Sequence, residues 1–256
     1  MPHAPEPTPS SSHLVLIPSF DSGALVVQTV LAARRCWSPV WVVFDGSVDG
    51  SDRLLEEALG RDPGVRILKL PVNQGKGAAV LHGLRIAQSA GFTHALTMDA
   101  DGQHPAADIA RFMGVSRERP GTMVLGRPIF DAAAPALRVN GRKVSNWWAN
   151  LETLWCGIDD SLFGFRVYPI APLIAIMSRQ RWMRRFDFDV EAVVRLSWAC
   201  VPAISLGAPV RYLSREEGGV SHFKYLRDNA LLTWMHARLM LGFVVRLPKL
   251  LLRKLG

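Results

Sequence analysis

The sequence predicts an α/β fold, a mostly parallel sheet flanked by helices. Three observations predict it. Short β-rich apolar runs alternate with segments of helical spacing; the connections are short; and polar and glycine residues recur where the apolar runs end. Right-handed βαβ units satisfy that pattern. At 256 residues, 49% of them apolar, the chain can build such a sheet around a substantial core and is not a disordered chain.

Taken in order, HLVLIPSF (13–20) is a buried strand ending near Pro18, and GALVVQTVLAAR (23–34) has helical spacing. PVWVVFDGS (39–47) is a second strand closed by a turn. SDRLLEEALG (51–60) is a helix that Ser51 or Asp52 caps and Gly60 ends. VRILKLP (65–71) is a third strand, KGAAVLHGLRIAQSAG (76–91) a helix closed by Gly91, HALTMDADG (94–102) a fourth strand and TMVLGRP (122–128) a fifth. In open parallel sheets ligands bind beyond the carboxyl ends of the strands. Here those ends carry Ser19-Phe20-Asp21, Asp45-Gly46-Ser47, Asn73 to Gly77, Asp99-Ala100-Asp101 and Gly126-Arg127. Their convergence on one edge says more than any single motif.

An Asp-x-Asp pair is usually a solvated turn. Asp99 and Asp101 instead follow the apolar run HALTM, and a charge at a buried strand end needs a partner. Two carboxylates there form a hard-oxygen site for Mg2+ or Mn2+, ions that bind through one or two carboxylates plus substrate phosphates. NQGKGAAVLHG (73–83) runs from a glycine-rich turn into a helix, so backbone N–H groups and Lys76 can face an anion. It has neither Walker A spacing nor the dinucleotide G-x-G-x-x-G after the first strand. Asp45, in a turn, can accept hydrogen bonds from a nucleobase or ribose, or simply close an Asx-turn.

In their order these motifs resemble the family 2 glycosyltransferases, in particular the branch that makes dolichyl- or polyprenyl-phosphate sugars. VLIPSFDSG is similar to that family's opening strand and P-x-[YF]-N-E turn, VVFDGSVDGSD to V-D-D-G-S-x-D-G-[TS], and NQGKGAAVLHGL to N-x-G-x-G-x-A-x-x-x-G. MDADGQHP matches the D-A-D-x-Q-H-x-P metal signature, LGRP resembles G-S-R, and DDSLFGFRVYP (159–169) resembles D-x-x-S-G-F-R. The likeness spans about residues 14–225. The chain departs from it at Asp21-Ser22, at Phe44 where the family has the first Asp of D-D-G-S, and at Phe163 where it has Ser. These departures bear on nucleotide and acceptor preference.

The resemblance implies a glycosyltransferase A-type fold and inverting transfer of a sugar from a UDP- or GDP-sugar. It implies a Mg2+ or Mn2+ ion on Asp101, Gln103 and Asp99, a donor pocket at Pro18, Phe20 and Asp45, and Lys76 near the phosphates. GGVSHFKYLRDN (218–229) resembles a family segment that closes over the donor diphosphate, through Ser221 and His222. A lipid phosphate acceptor is already anionic at neutral pH and needs cations more than a base; Arg127, Arg138 and Arg142 are placed to clamp it. A hydroxyl acceptor would need a base instead, from Asp187, Asp189 or Glu191 in FDFDVEAVVRL, or Asp160. The expected catalytic set is Asp101, Arg127, Asp189 and Glu191.

Thirty Lys+Arg against 22 Asp+Glu give a net charge of +8, which suits anionic partners. Cys36, Cys156 and Cys200 are odd in number and far apart, so neither a disulfide framework nor a zinc site is expected, and a reducing cytoplasmic setting fits. Residues 1–12, rich in Pro and Ser, read as a disordered leader and not a signal peptide; the catalytic domain is expected over 13–225. Beyond it, ALLTWMHARLMLGFVVRLPKLLLRKLG holds no run of 18 uninterrupted apolar residues, and Pro248 breaks it. Residues 226–256 therefore read as one or two amphipathic helices on the inner face of an anionic membrane, although a dimer interface or packing on the protein's own core gives the same pattern. A nucleotidyltransferase and a non-enzymatic basic membrane or RNA-binding module are the rivals. The first lacks its basic glycine-rich loop, and the second gives TMDADGQHP no purpose and shows no aromatic-basic nucleic-acid signature.

Overall fold

The computed structural model describes residues 7–130, 136–210 and 225–255 and, for 136–139 and 225–229, the backbone course only. The alternation read in the sequence is present: β1 (His13–Ser19), α1 (Leu25–Cys36), β2 (Val40–Asp45), α2 (Ser51–Leu59), β3 (Val65–Leu70), α3 (Lys76–Ser89) and β4 (His94–Thr97). There follow α4 (Ile109–Glu118), β5 (Met123–Ile129), α5 (Ala136–Glu152), β6 (Arg166–Pro169), α6 (Ile170–Ser178), α7 (Phe188–Trp198), β7 (Ala203–Pro209) and α8 (Tyr225–Leu255). Capping of α2 differs from expectation. Gly50 precedes its first turn and no side chain of Ser51 or Asp52 caps it; the carboxylate of Asp49 instead accepts from the Ser51 N–H at 3.0 Å.

One seven-stranded sheet has the order β3-β2-β1-β4-β6-β5-β7. β1, β2, β3 and β4 run parallel, and β6 is antiparallel to both its neighbours, β4 and β5. Strands β1, β2, β4 and β6 are buried along their whole length, and for β1, β2 and β4 this explains why they read as apolar runs. Helices cover both faces. Val15, Ile17, Val42 and Phe44 pack on one side with Val30 of α1, Leu55 of α2 and Phe112 of α4. Leu14, Leu16 and Val43 pack on the other with Leu84 of α3, Leu173 of α6, Val193 of α7 and Leu239 of α8. Phe44, at the position of the family's aspartate, is a core residue at 1% exposure.

Two expectations about the ends of the chain are corrected. The disordered leader does not extend to residue 12: Ser10 is buried, its N–H donates to the Ser38 carbonyl at 2.8 Å, and its hydroxyl accepts from the His13 N–H at 3.1 Å. At the other end, Pro248 does not divide the helix. α8 runs for 31 residues through it. Pro248 is exposed, so water can satisfy the carbonyl that proline leaves without a donor. Segment Ala230–Leu255 is long and apolar enough, by length and composition, to cross a membrane, although it holds no run of 18 uninterrupted apolar residues. Its inner face is nevertheless packed on the domain through Met235, Leu239, Phe243 and Leu250.

Candidate active site

The strand ends converge on one edge, and side chains knit the loops there together. Asp21 accepts from the Val48 N–H at 2.8 Å, Ser47 accepts from the Asp21 N–H at 3.1 Å, and Asp49 accepts from the Gly23 N–H at 2.8 Å. The loops after β1 and β2 thus form one unit. Asp45 is 2% exposed and accepts from the Gln74 and Gly75 N–H groups at 2.8 and 2.7 Å. Expected to grip a base, it serves instead as the clamp that shapes the glycine-rich turn. That turn needs glycine: Gly75 has φ +102°, and a Cβ there would collide with the Arg184 carbonyl. Pro18 lies inside β1, and Phe20 is half-buried just beyond it.

Lys76 opens α3 from this turn. Its ammonium lies 2.7 Å from an oxygen of Asp99 and 2.7 Å from an oxygen of Asp189. A large part of the counter-charge that Asp99 needs is therefore a lysine. Burial works against the Lys76 charge, yet the two carboxylates outweigh it and hold the group well above the usual lysine range. Burial would raise Asp99, but Lys76, with His104, holds that carboxyl down at about 2. The approach is tight: a Cβ at Gly164 would stand 2.9 Å from the Lys76 ammonium.

Asp101 differs from Asp99. It makes no ion pair among the described residues; the contact it does make is as acceptor from the Gln103 N–H at 3.1 Å. Burial, then the negative charge of Asp99, raises its carboxyl to about 6. His104, assigned no role in the sequence reading, accepts from the Asp99 N–H through Nδ1 at 2.9 Å, which fixes its remaining proton on Nε2. Burial depresses it to about 4, so it is neutral at neutral pH. Its ring stands edge-on to Phe163 at 4.7 Å.

Asp99, Asp101, Gln103 and His104 line one side of a cleft; Pro128, Phe130, Arg142 and Leu162 to Gly164 line the other. Arg142 presents its fork to Asp160 at 3.0 and 2.7 Å, and Asp160 also accepts from the Leu162 and Phe163 N–H groups. Burial pulls the Asp160 carboxyl upward, but Arg142 outweighs it and holds it below the usual range. Asp160 is thus committed to its turn. Phe163 fills the space over Gly126, where a Cβ would meet its ring at 2.6 Å. Arg127, which precedes the cleft-lining Pro128, does not itself line the cleft; its side chain is 60% exposed and reaches Asp159 only at 3.9 Å.

Of the acidic segment, the structure brings Asp189 alone to Lys76. Its other oxygen, Oδ1, is buried without a hydrogen-bond partner. Asp187 accepts from the Met183 and Arg185 N–H groups and opens α7. Glu191 points elsewhere: it is fully buried, and Arg195 at 2.7 Å and Arg238 of α8 at 3.2 Å take its two oxygens. The expectation of a catalytic Glu191 is therefore corrected to a tie between α7 and α8. Arg166, quoted in a motif but given no role, is fully buried in β6; it donates to the Tyr168 hydroxyl at 3.0 Å and to the Asp160 carbonyl at 3.3 Å. A bare arginine in an apolar run was the signal for it. Ser221 and His222 lie outside the described residues, as does the side chain of Arg138.

Among the described residues, no group of three or more His, Cys, Asp or Glu forms a self-sufficient metal cage. The donor set still fits a divalent cation shared with a ligand. An uncompensated carboxylate, Asp101, sits beside a second, Asp99, and an amide, Gln103, on the wall of an open cleft. Hard cations held by one or two carboxylates take their remaining oxygens from substrate phosphates and water.

The family model described as glycosyl transferase family 2 matches residues 14–162. The chain is 26% identical over 219 residues to an undecaprenyl-phosphate mannosyltransferase of Micrococcus luteus, covering 80% of this chain and 85% of that one. It is 28% identical over 175 residues to a polyprenol monophosphomannose synthase of Mycolicibacterium smegmatis, covering 62% of each. Among solved structures, a glucosyl-3-phosphoglycerate synthase of Mycobacterium tuberculosis, crystallised with Mn2+, UDP-glucose and phosphoglyceric acid, aligns with a TM-score of 0.62 at 15% identity, over 91% of this chain and 79% of that one. The shared architecture is the glycosyltransferase A-type fold.

Proposed function

The chain belongs to glycosyl transferase family 2, and from that premise we propose that it moves a sugar, with inversion, from a nucleotide sugar to the phosphate of a polyprenyl lipid at a membrane surface. The observation that carries this is the cluster at the strand ends: Lys76 compensates Asp99 and Asp189, while Asp101 is left uncompensated on the cleft wall. Membership sets aside the two rival readings, a nucleotidyltransferase and a non-enzymatic basic module.

Asp101, Gln103 and the open oxygen of Asp99 would hold Mg2+ or Mn2+. Once bound, that ion would neutralise the charge developing on the leaving nucleoside diphosphate. The chain's own residues do the rest. The joined loops at Asp21, Ser47 and Asp49 frame the donor pocket, and Asp45 keeps the 73–75 turn open to it. Lys76 keeps Asp99 ionised. Ser221 and His222 remain candidates to close over the diphosphate.

A lipid phosphate is largely dianionic at neutral pH, with a second pKa near ~6, so it attacks without a strong base. Arg127, exposed and next in sequence to the cleft-lining Pro128, is the cation we assign to it, with Arg138 of α5 as a second candidate. Arg142 acts through Asp160 by holding the turn that carries Phe163. The acceptor reading is supported by the similar proteins named for undecaprenyl phosphate and polyprenol, and by α8, whose outward residues Leu241, Val245 and Leu252 are each more than 70% exposed. The enzyme would then sit peripherally, α8 lying along the inner leaflet with Trp234 near the head groups.

The test is isothermal titration with UDP-glucose, UDP-GlcNAc and GDP-mannose, with Mn2+ and with chelator, on wild type and Asp101→Ala. It is followed by transfer to a short-chain polyprenyl phosphate. Metal-dependent binding of one donor, lost in the variant, is expected. A folded protein that binds no donor would defeat the reading.

A further inference from the structure

A second concavity lies away from the cleft, between the end of α7 and the last turns of α8. Trp198, Cys200, Arg246, Lys249, Leu250 and Arg253 line it. Three of the six are cations and none is acidic. From Arg246 onward α8 carries Arg246, Lys249, Arg253 and Lys254 with no Asp or Glu. Asp189 and Trp198 are nine residues apart on α7, so the concavity stands roughly 14 Å from the catalytic edge along that helix.

The two arginines are held in place. Arg253 donates to the Ser197 carbonyl at 2.8 Å, and Arg246 donates to the Gly242 carbonyl at 2.9 Å while its guanidinium lies 4.8 Å from the centre of the Trp198 ring. Lys249 makes no ion pair among the described residues and is exposed. Around the cations α8 is apolar and exposed: Val245 at 79%, Leu252 at 72%, Leu255 at 86%. Two fixed guanidiniums and an exposed lysine in a dent, bordered by an apolar helix face, have the chemistry to hold a phosphate whose own neighbours are acyl chains.

We propose that Arg246, Lys249 and Arg253, against Trp198, form a binding site for the phosphate of an anionic membrane lipid headgroup. It anchors the far end of α8 and is separate from the site of the lipid acceptor. The inference rests on the membrane-surface part of the reading above and not on its chemistry. The same cations would take free inorganic phosphate. The lipid is favoured because the apolar face is continuous with the dent, and a soluble anion would leave that face uncovered.

The test is flotation with phosphatidylcholine vesicles, with and without phosphatidylglycerol, lacking polyprenyl phosphate and donor. Wild type is compared with the triple variant Arg246→Gln/Lys249→Gln/Arg253→Gln, and with Arg35→Gln/Arg53→Gln/Arg61→Gln, which removes equal charge from the α1–α2 side of the sheet. The site triple should lose affinity for anionic vesicles by a factor on the order of 100, and the control by less than about twofold. Because Arg253 also holds the end of α8, Lys249→Gln alone is the second variant, with an expected loss of roughly fivefold. Equal losses in the two triples, or none in the site triple, would overturn the site. Displacement of wild type from the vesicles by millimolar inorganic phosphate at constant ionic strength would overturn the lipid assignment. Wild type that ignores both vesicles would overturn the site together with the membrane reading, while donor titration would leave the transferase reading standing.

Discussion

Lys76 and Asp189 meet at 2.7 Å although 113 residues separate them. The contact joins the first turn of α3 to the first turn of α7, and Asp99 completes it from the end of β4. Removing one partner of a buried pair leaves a charge uncompensated, at a typical cost of about 3–5 kcal/mol. Lys76→Met should lower stability by about that much in denaturant unfolding and abolish transfer. Gly164→Ala, which crowds the ammonium without removing it, should reduce transfer at a smaller stability cost.

The two aspartates of the cleft should respond in opposite ways. Asp101→Asn removes the uncompensated charge next to Asp99, so unfolding stability should hold or rise by about 1 kcal/mol while metal-dependent donor binding is lost. Asp99→Asn takes an anion from Lys76 and should lose stability as well as binding. Thermal melts and donor titrations on the pair check this.

Arg127 and Arg142 separate in the same manner. Arg127→Gln changes an exposed side chain, so stability should move by less than about 0.5 kcal/mol and the acceptor KM should rise about tenfold. Arg142→Gln unties Asp160 and its turn; a loss of about 3 kcal/mol is expected, with kcat falling as well. Acceptor kinetics alongside denaturant curves distinguish the two.

Acid should destabilise the protein through His13. The ring is 3% exposed, stacked on His94 at 4.5 Å and hydrogen-bonded to Ser116 at 3.1 Å. Burial, then the neighbouring His94, lowers its pKa to about 4. The unfolded chain takes up a proton near pH 6.5, where the folded protein does not. Stability conferred by the neutral ring is therefore complete above pH 6.5 and lost as pH falls from there toward 4. The single-group effect is on the order of 2–3 kcal/mol. His13→Gln should flatten that part of the stability profile measured by denaturant titration from pH 7 to 4.

Glu191→Gln tests the tie between α7 and α8. It takes from Arg195 its anion and leaves Arg238 only Asp187 at 3.7 Å, in a buried setting, and stability should drop by about 3 kcal/mol. Donor titration should be nearly unchanged, because Glu191 does not reach Lys76. A chemical role for Glu191 would show as loss of turnover at unchanged stability.

Five strands were legible in the sequence, and three of them are buried throughout. β1, β2 and β4 are covered on both faces, so their apolar runs are continuous and their polar ends mark the edge where ligands bind. β6 and β7 were not legible as strands. β6 has only four residues, one of them Arg166, whose charge makes sense only among the groups around it. β7 is an edge strand that reads Ala-Ile-Ser-Leu-Gly-Ala-Pro, whose Ile-Ser-Leu-Gly alternation is too short, and too rich in small residues, to mark a strand. Pro248 misled the reading of α8 because proline's local penalty is fixed by sequence, whereas the packing that outweighs it is not.

The alternation, the edge where the loops gather, the Asp99–Asp101 pair and the family were all set within the order of residues along the chain. These are local: a hydrophobic period, a turn glycine or a motif lies within a few residues, and its physics acts there. Which charges meet came from packing in three dimensions. It gave Asp99 and Asp189 to Lys76, committed Asp45 to the loop amides, Arg142 to Asp160 and Glu191 to α8, and left Asp101 without an ion-pair partner among the described residues. Electrostatic partnership depends on distance and on exclusion of water, and both are set by how far-apart segments pack, which no window of sequence contains.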